Sequence, residues 1–202
     1  MKWNTIEAGF QPTDDGRCAT GSRGMIATQS AQATEAGRAL LEAGGNAVDA
    51  AVAAAFVLGV TEPQASGLGG QTMMLVAREE GVIAIDGSSR APSLAHSSAI
   101  YKRDRSVGYR AATVPSTPAT LAYVHRCYGR LPWKTVLEPA IAYADDGYSV
   151  TQLQQKLLAR ERKHFEQVDS QSGLKRFFKN DEPYQEGDVF KQPSLHRRIR
   201  TH

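Results

Sequence analysis

The chain has 202 residues, 41% of them hydrophobic, with 24 Lys and Arg against 21 Asp and Glu. That is enough for one sizeable domain, or two small ones, around an ordinary buried core. A net charge of +3 is too mild to argue for a nucleic-acid partner. The two cysteines, Cys18 and Cys127, are too few for a disulfide scaffold and lack metal-site spacing, so both are expected as plain thiols. No pair among the five histidines stands at ligand spacing with a Cys or carboxylate. No metal site and no cofactor are expected.

Residues 1–23 form a polar leader in which no apolar run follows Lys2, so no secretory signal is read there. The longest apolar run, Ala51 to Val60, is about half of a membrane span. The expectation is a soluble, cytoplasmic protein with no membrane partner.

In chain order, Gly24 to Ser30 reads as a short strand, followed by a helix ending at Gly44 and Gly45 with Leu40 and Leu41 on its buried side. Asn46 caps the next helix, Ala47 to Val60, and Asp49 sits near its positive end. Alanines at 47, 50, 51, 53, 54 and 55 leave that helix almost no polar face, which predicts burial on most sides. Pro63 stops it. A glycine loop, Ser66 to Gly70, then leads into two apolar runs separated by Glu79, Glu80 and Gly81, the pattern of a β-hairpin.

Further on, Thr117 is the expected N-cap of a helix from Pro118 to about Tyr128, with Gly129 past its end. Leu131 to Val150 is a second helical stretch, interrupted or kinked at Pro139 and closed by Gly147. Thr151 to Phe165 is a third. Ser170 to Gln192 reads as loop, and Pro193 opens a helix with no room to finish. A mild seam lies near Ser149, and the late basic runs, Arg160 to Phe165, Leu174 to Lys179 and His196 to His202, read as solvated faces.

A phosphate cradle would need strand, loop, helix; here the order is helix, loop, strand, and no Gly-Lys-Ser/Thr follows the glycines. No Gly-x-Ser-x-Gly elbow occurs. Glu35, Glu42 and Asp49 read as solubilising or capping carboxylates rather than a general acid or base. Two places remain for chemistry. The glycine loop offers exposed amides that either line a pocket or let the backbone turn. The turn Ile85 to Pro92 carries Ser88, Ser89 and Arg90, and Arg90 is either a surface residue of a turn or a fork for a carboxylate.

The block Glu42 to Gly70, with its Gly-Gly-Asn-Ala-Val-Asp-Ala run, Glu62-Pro63 and Ser-Gly-x-Gly-Gly loop in that order, resembles the signature of the gamma-glutamyltransferase (glutathione hydrolase) family. The similarity continues through Thr113 to Leu121, Tyr128 to Trp133, Glu138 to Val150 and, weakly, Glu186 to Leu195. The resemblance implies an α/β fold, part of an αββα sandwich of the N-terminal nucleophile hydrolase type, with residues 24–202 as the N-terminal portion of a large subunit.

Family members cleave themselves into large and small subunits. The new N-terminal threonine of the small subunit then attacks a gamma-glutamyl amide. The implied partners are a small-molecule substrate, either a gamma-glutamyl compound such as glutathione or another acyl amide, together with the remainder of the large subunit and the small subunit. No catalytic residue is expected within this chain, and Thr201 before His202 is read as coincidence.

The family holds the glutamyl α-carboxylate with an arginine in an Asp-x-Arg-Glu-x-Ala-Pro turn. Here the turn is Asp86-Gly87-Ser88-Ser89-Arg90-Ala91-Pro92, with Ser88 at the arginine's position and Arg90 two places later. Arg90, Ser88 and Ser89 are thus the substrate-binding candidates. Gln71 and Thr72 stand where further glycines are common. Two alternatives remain open: an acylase acting on another amide, or a truncated non-catalytic protein.

Overall fold

A computed structural model describes residues 20–96, 106–168 and 171–200. The leader up to residue 19, Cys18, Thr201 and His202 lie outside these described residues. The architecture is built on a helical hairpin. Helix α1 (Ala31–Glu42) is capped by the Ser30 side chain, which accepts from the Ala33 amide. Its chain leaves through Gly44 at φ 87°, a left-handed position that favours glycine. Leu40 is buried and Leu41 half-buried.

Helix α2 (Ala47–Thr61) follows at once. The Asn46 side chain accepts from the Val48 and Asp49 amides while the Asp49 carboxylate accepts from the Asn46 amide, a reciprocal capping box. α1 lies close on α2 because Gly37 faces the Ala50 carbonyl oxygen and Ile26; a methyl on Gly37 would overlap the end of Ile26. Helix α2 is the centre of the core, with Val52, Ala53, Val57 and Val60 wholly buried.

A one-turn helix, α3 (Pro63–Ser66), then precedes the glycine loop; sequence reasoning passed over it because four residues are too few for a periodic signal. Strands β1 (Thr72–Arg78) and β2 (Gly81–Gly87) pair antiparallel in the register Thr72 to Gly87 through Arg78 to Gly81. The Glu79-Glu80 turn is thus the hairpin expected. Its inner face, Met74, Val76 and Ile85, rests on the core.

Helix α4 (Thr117–Tyr128) begins one residue earlier than expected, with Ser116 rather than Thr117 at the N-cap position. Helix α5 (Trp133–Asp146) runs through Pro139 without interruption and ends at Gly147, φ 90°. β3 (Tyr148–Ser149) pairs later with β6 (Val189–Phe190). Helix α6 (Gln152–Gln167) is capped by Thr151 and carries the charged run on its surface.

The stretch read as loop from Ser170 to Gln192 contains structure instead. It holds helix α7 (Gln171–Phe177) and the short strands β4 (Phe178–Lys179) and β5 (Glu182–Pro183), joined by Asn180 and Asp181 at positive φ. Its order comes from side chains that composition does not reveal. Phe177, Tyr148 and Tyr184 all meet Phe190, with ring centroids 5.8, 5.8 and 4.9 Å away. Helix α8 (Pro193–Arg200) closes the chain against α5 with Ile199 buried.

Residues 24–30 form no ladder with other described residues, contrary to the strand reading. Burial nonetheless alternates there, with Met25 and Ala27 exposed and Ile26 and Thr28 half-buried. The period of two is real; what is lacking is a partner strand. No described helix is long and apolar enough to cross a membrane.

Candidate functional site

Three segments distant in sequence are tied together at one end of the hairpin. The Gly70 carbonyl, at the end of the glycine loop, accepts from the Ser116 amide at 3.0 Å and the Thr117 amide at 3.3 Å. The Thr72 hydroxyl donates to Thr117 Oγ1 at 3.0 Å. Ser116 Oγ donates to the Gly87 carbonyl at the end of β2. The start of α4 therefore clamps the point where the glycine loop enters β1 and β2 leaves the sheet. Gly87 is required there: a Cβ would overlap both the Thr120 side chain and the Thr72 carbonyl oxygen. The absent side chain at Gly87 lets the end of β2 approach α4 this closely.

The candidate turn hangs from this clamp. Asp86 Oδ1 accepts from the Ser88 amide at 2.9 Å and from Ser88 Oγ at 2.5 Å, an Asx turn that holds the Asp86 carboxyl below its usual pKa. Gln71 Oε1 accepts from the Ser89 amide at 3.1 Å and from Ser89 Oγ at 3.3 Å. Gln71 thus bridges the glycine loop to the turn, a role that sequence reasoning missed because a lone glutamine after glycines carries no motif. Arg90 exchanges two backbone hydrogen bonds with Val114, at 3.3 and 2.8 Å. Its backbone is fixed while its side chain is exposed and makes no ion pair among the described residues.

Chemically, the three predicted residues are brought together with unequal freedom. Ser88 and Ser89 spend their hydroxyl protons inside the protein, on Asp86 and Gln71. The Arg90 side chain stays exposed, with no ion pair among the described residues. The glycine loop lies beside them, and it follows helices and precedes a strand, so its amides do not open a helix and the geometry of a phosphate cradle is absent from it.

The candidate carboxylates divide. Glu35 and Glu42 are surface groups paired with Arg38, at 2.6 and 2.5 Å. Asp49 is fully buried. Beyond its capping role it accepts from the Arg130 amide at 3.0 Å and the Leu131 amide at 3.2 Å, and His125 Nε2 lies 3.3 Å away. His125 Nε2 also contacts the Leu131 carbonyl at 3.0 Å, an acceptor only, so that nitrogen carries the proton. Asp49 joins α2 to the α4–α5 connection and is committed to structure. Among the described residues no cluster of three His, Cys, Asp or Glu is arranged to hold a metal ion.

Comparison with known proteins bears on this geometry. Residues 33–201 match the gamma-glutamyltranspeptidase family. The chain is 41% identical over 132 residues to glutathione hydrolase 3 of Arabidopsis thaliana, covering 63% of this chain and 21% of that protein. It is 34% identical over 184 residues to the glutathione hydrolase proenzyme of Escherichia coli strain K12, covering 86% and 31%. Among solved structures, Helicobacter pylori gamma-glutamyltranspeptidase superposes with a TM-score of 0.86 at 32% identity, over 91% of this chain and 54% of that one. A cephalosporin acylase from Bacillus halodurans superposes with a TM-score of 0.77 at 30% identity, over 84% and 33%. The chain thus spans about a fifth to a third of the curated relatives named and about half of the Helicobacter pylori chain. Matched to the family over residues 33–201, the chain belongs to the gamma-glutamyltranspeptidase family and has its N-terminal nucleophile hydrolase type of fold.

Proposed function

We propose that this chain forms part of the large subunit of an amide-cleaving acyltransferase and supplies the surface that grips the acyl end of the substrate. The observation that carries the reading is the fixed turn Asp86 to Pro92, fused to the glycine loop through Gln71 in a chain of this family. In the reaction, a threonine hydroxyl outside these residues adds to the amide carbonyl and gives its proton to the threonine's own α-amino group. The amine leaves with a proton as the acyl ester forms, and water or an acceptor amine then releases the acyl group. No group of this chain enters the bond-breaking step. Its part is orientation, with Arg90 as the fork for a substrate carboxylate.

The test is a longer polypeptide carrying this chain in frame with a processing threonine, assayed on gamma-glutamyl and glutaryl anilides. Self-cleavage into two subunits and hydrolysis of at least one anilide are expected. Arg90→Ala should raise KM about 10- to 100-fold with a smaller effect on kcat, the loss of one charge-assisted contact. A polypeptide that neither matures nor cleaves any amide overturns the reading.

A second reading, an acylase acting on an amide other than gamma-glutamyl, is favoured by one observation. Ser88 occupies the place of the family arginine and its side chain is turned onto Asp86. The likeness to a cephalosporin acylase is consistent with it. A higher kcat/KM on the glutaryl than on the gamma-glutamyl anilide would select it.

A further inference from the structure

Two of the basic runs that read as solvated faces in the sequence come together in space: Leu174 to Lys179, and the described part of the run that starts at His196. Arg176 of α7 and Arg197 and Arg198 of α8 line one cleft of 600 Å³ between the two helices. A cation in the last turn of a helix is favoured by the helix dipole, which accounts for the basic residues of each helix taken alone. It does not account for guanidinium groups from both helices on the walls of the same cleft.

Other arginines of the molecule supply the contrast. Arg38 pairs with Glu35 and Glu42, Arg78 with Glu80, Arg160 with Glu161 and Arg162 with Glu166. Arg176 and Arg197 are exposed and make no ion pair among the described residues, and no Asp or Glu lines their cleft. Two carboxylates of neighbouring elements are already occupied, Asp145 of α5 at 3.1 Å from His196 and Asp188 at 3.7 Å from Lys179. The cleft also stands on anchored parts. Phe177, next to Arg176, stacks on Phe190 with ring planes 19° apart. The buried Gln192 side chain, at the start of α8, donates to the Val60 carbonyl at 2.8 Å, and Ile199 is buried in the core. The helices are therefore not free to move apart and relieve the repulsion between their cations, and an anion between them relieves it instead.

We propose that the cleft between α7 and α8 binds a small oxyanion of two or more charges, a phosphate or diphosphate group. Planar guanidinium forks match pairs of phosphate oxygens, and Ser194 on the same wall adds a hydroxyl donor. At a given distance a dianion gains about twice the attraction of a monocarboxylate, so charge selects phosphate over a simple carboxylate. The site is concave, of a size that suits a small phosphorylated molecule, and Phe177 and Leu195 give it an apolar portion of wall. A bound anion staples α7 to α8. Binding there is independent of acyl transfer and stands whether or not a longer polypeptide cleaves any amide.

The probe is sodium pyrophosphate, titrated into the 202-residue chain at physiological ionic strength, with sodium acetate as the monoanion control. Saturable one-to-one binding by calorimetry is expected, at least about tenfold tighter than acetate. The backbone amide NMR shifts it causes should be confined to Arg176, Phe177 and the stretch Ser194 to Arg198. Arg176→Ala and Arg197→Ala, both at exposed positions, should each weaken pyrophosphate about 10- to 100-fold, the loss of one charge-assisted contact, and leave the melting temperature of the free chain unchanged. Arg197→Lys, which keeps the charge and loses the fork, should fall between Arg197→Ala and the unaltered chain. Lys156→Ala, on the exposed side of α6, should bind as the unaltered chain does, which separates a site from an effect of net charge. The proposal is overturned by absence of binding, by acetate binding as tightly, or by binding that survives Arg176→Ala and Arg197→Ala together. Anionic phospholipid vesicles or single-stranded DNA, held by the same arginines and not displaced by pyrophosphate, would assign the cluster to a membrane surface or to nucleic acid and equally overturn it.

Discussion

The two ends of the molecule are held together by different means. Around α2, small side chains pack at short range: Gly37 against Ile26 and Ala50, with Val52, Ala53 and Val57 fully buried and one central carboxylate, Asp49, gathering backbone amides from two connections. Around Phe190 the same task falls to large rings, with Tyr148, Phe177 and Tyr184 about it and Phe165 touching Phe177 and Phe178. Among the described residues, rings surround Phe190, whereas Ala47 and Ala51 of α2 stay exposed. Small side chains allow close approach of neighbouring backbones. Rings fill space without needing further elements.

The sharpest way to break this comparison is to empty the aromatic end. Phe190 is wholly buried, and Phe190→Ala should cost about 3–5 kcal/mol, since the surrounding rings cannot all collapse into the space. A single unfolding transition in urea is expected to move to lower denaturant, because the Gln192 side-chain amide donates to the Val60 carbonyl at 2.8 Å and ties this end to the last turn of α2. Two separated transitions in the variant would show that the ends unfold independently.

At the alanine end the corresponding change is Asp49→Ala. It removes the capping box and strands the Asn46, Arg130 and Leu131 amides, for a loss of about 3 kcal/mol. Asp49→Asn, which keeps an acceptor oxygen, should lose less than half as much. Equal losses from the two variants in the same urea titration would show that charge rather than acceptor geometry matters at this point.

How much of this was legible in the sequence depends on range. The capping pair Asn46 and Asp49, the glycine stop after α1 and the Glu79-Glu80 hairpin turn are local, and each was read from neighbours within a few residues. The order within Ser170 to Gln192 was missed because Phe177 and Tyr184 gather on Phe190, which packs in turn on Tyr148, far away in the chain. Pro139 was read as an interruption or a kink; α5 continues through it, with Val136, Leu137 and Ala140 on either side buried in the core. The strand reading of Gly24 to Ser30 matches the alternating burial there, but the segment pairs with no other described residue. At the candidate site, Ser88, Ser89 and Arg90 are consecutive, so their nearness needed no fold. Gln71, which fixes that turn from the glycine loop, was visible only once the fold had brought the two together.

The smallest effect expected is also the most local. The Asp86 carboxyl titrates below its usual range first because Ser88 Oγ donates to it, and second because the Ser88 amide does. Ser88→Ala removes the larger cause, so the Asp86 pKa should rise toward the ordinary carboxylate value while staying somewhat below it, read by NMR titration of its side-chain carbon. The sign of the linked effect follows from a folded-state pKa lower than the unfolded one. The stabilisation is complete above the unfolded pKa and is lost as pH falls through the folded one. The variant should therefore resemble the unaltered chain most closely in strong acid, where Asp86 is protonated in both, and differ from it near neutrality. A carboxyl that titrates at the same pH with and without the Ser88 hydroxyl would mean that the Asp86 end of the turn is held by its backbone, with Gln71 and the Arg90–Val114 bridge holding the rest.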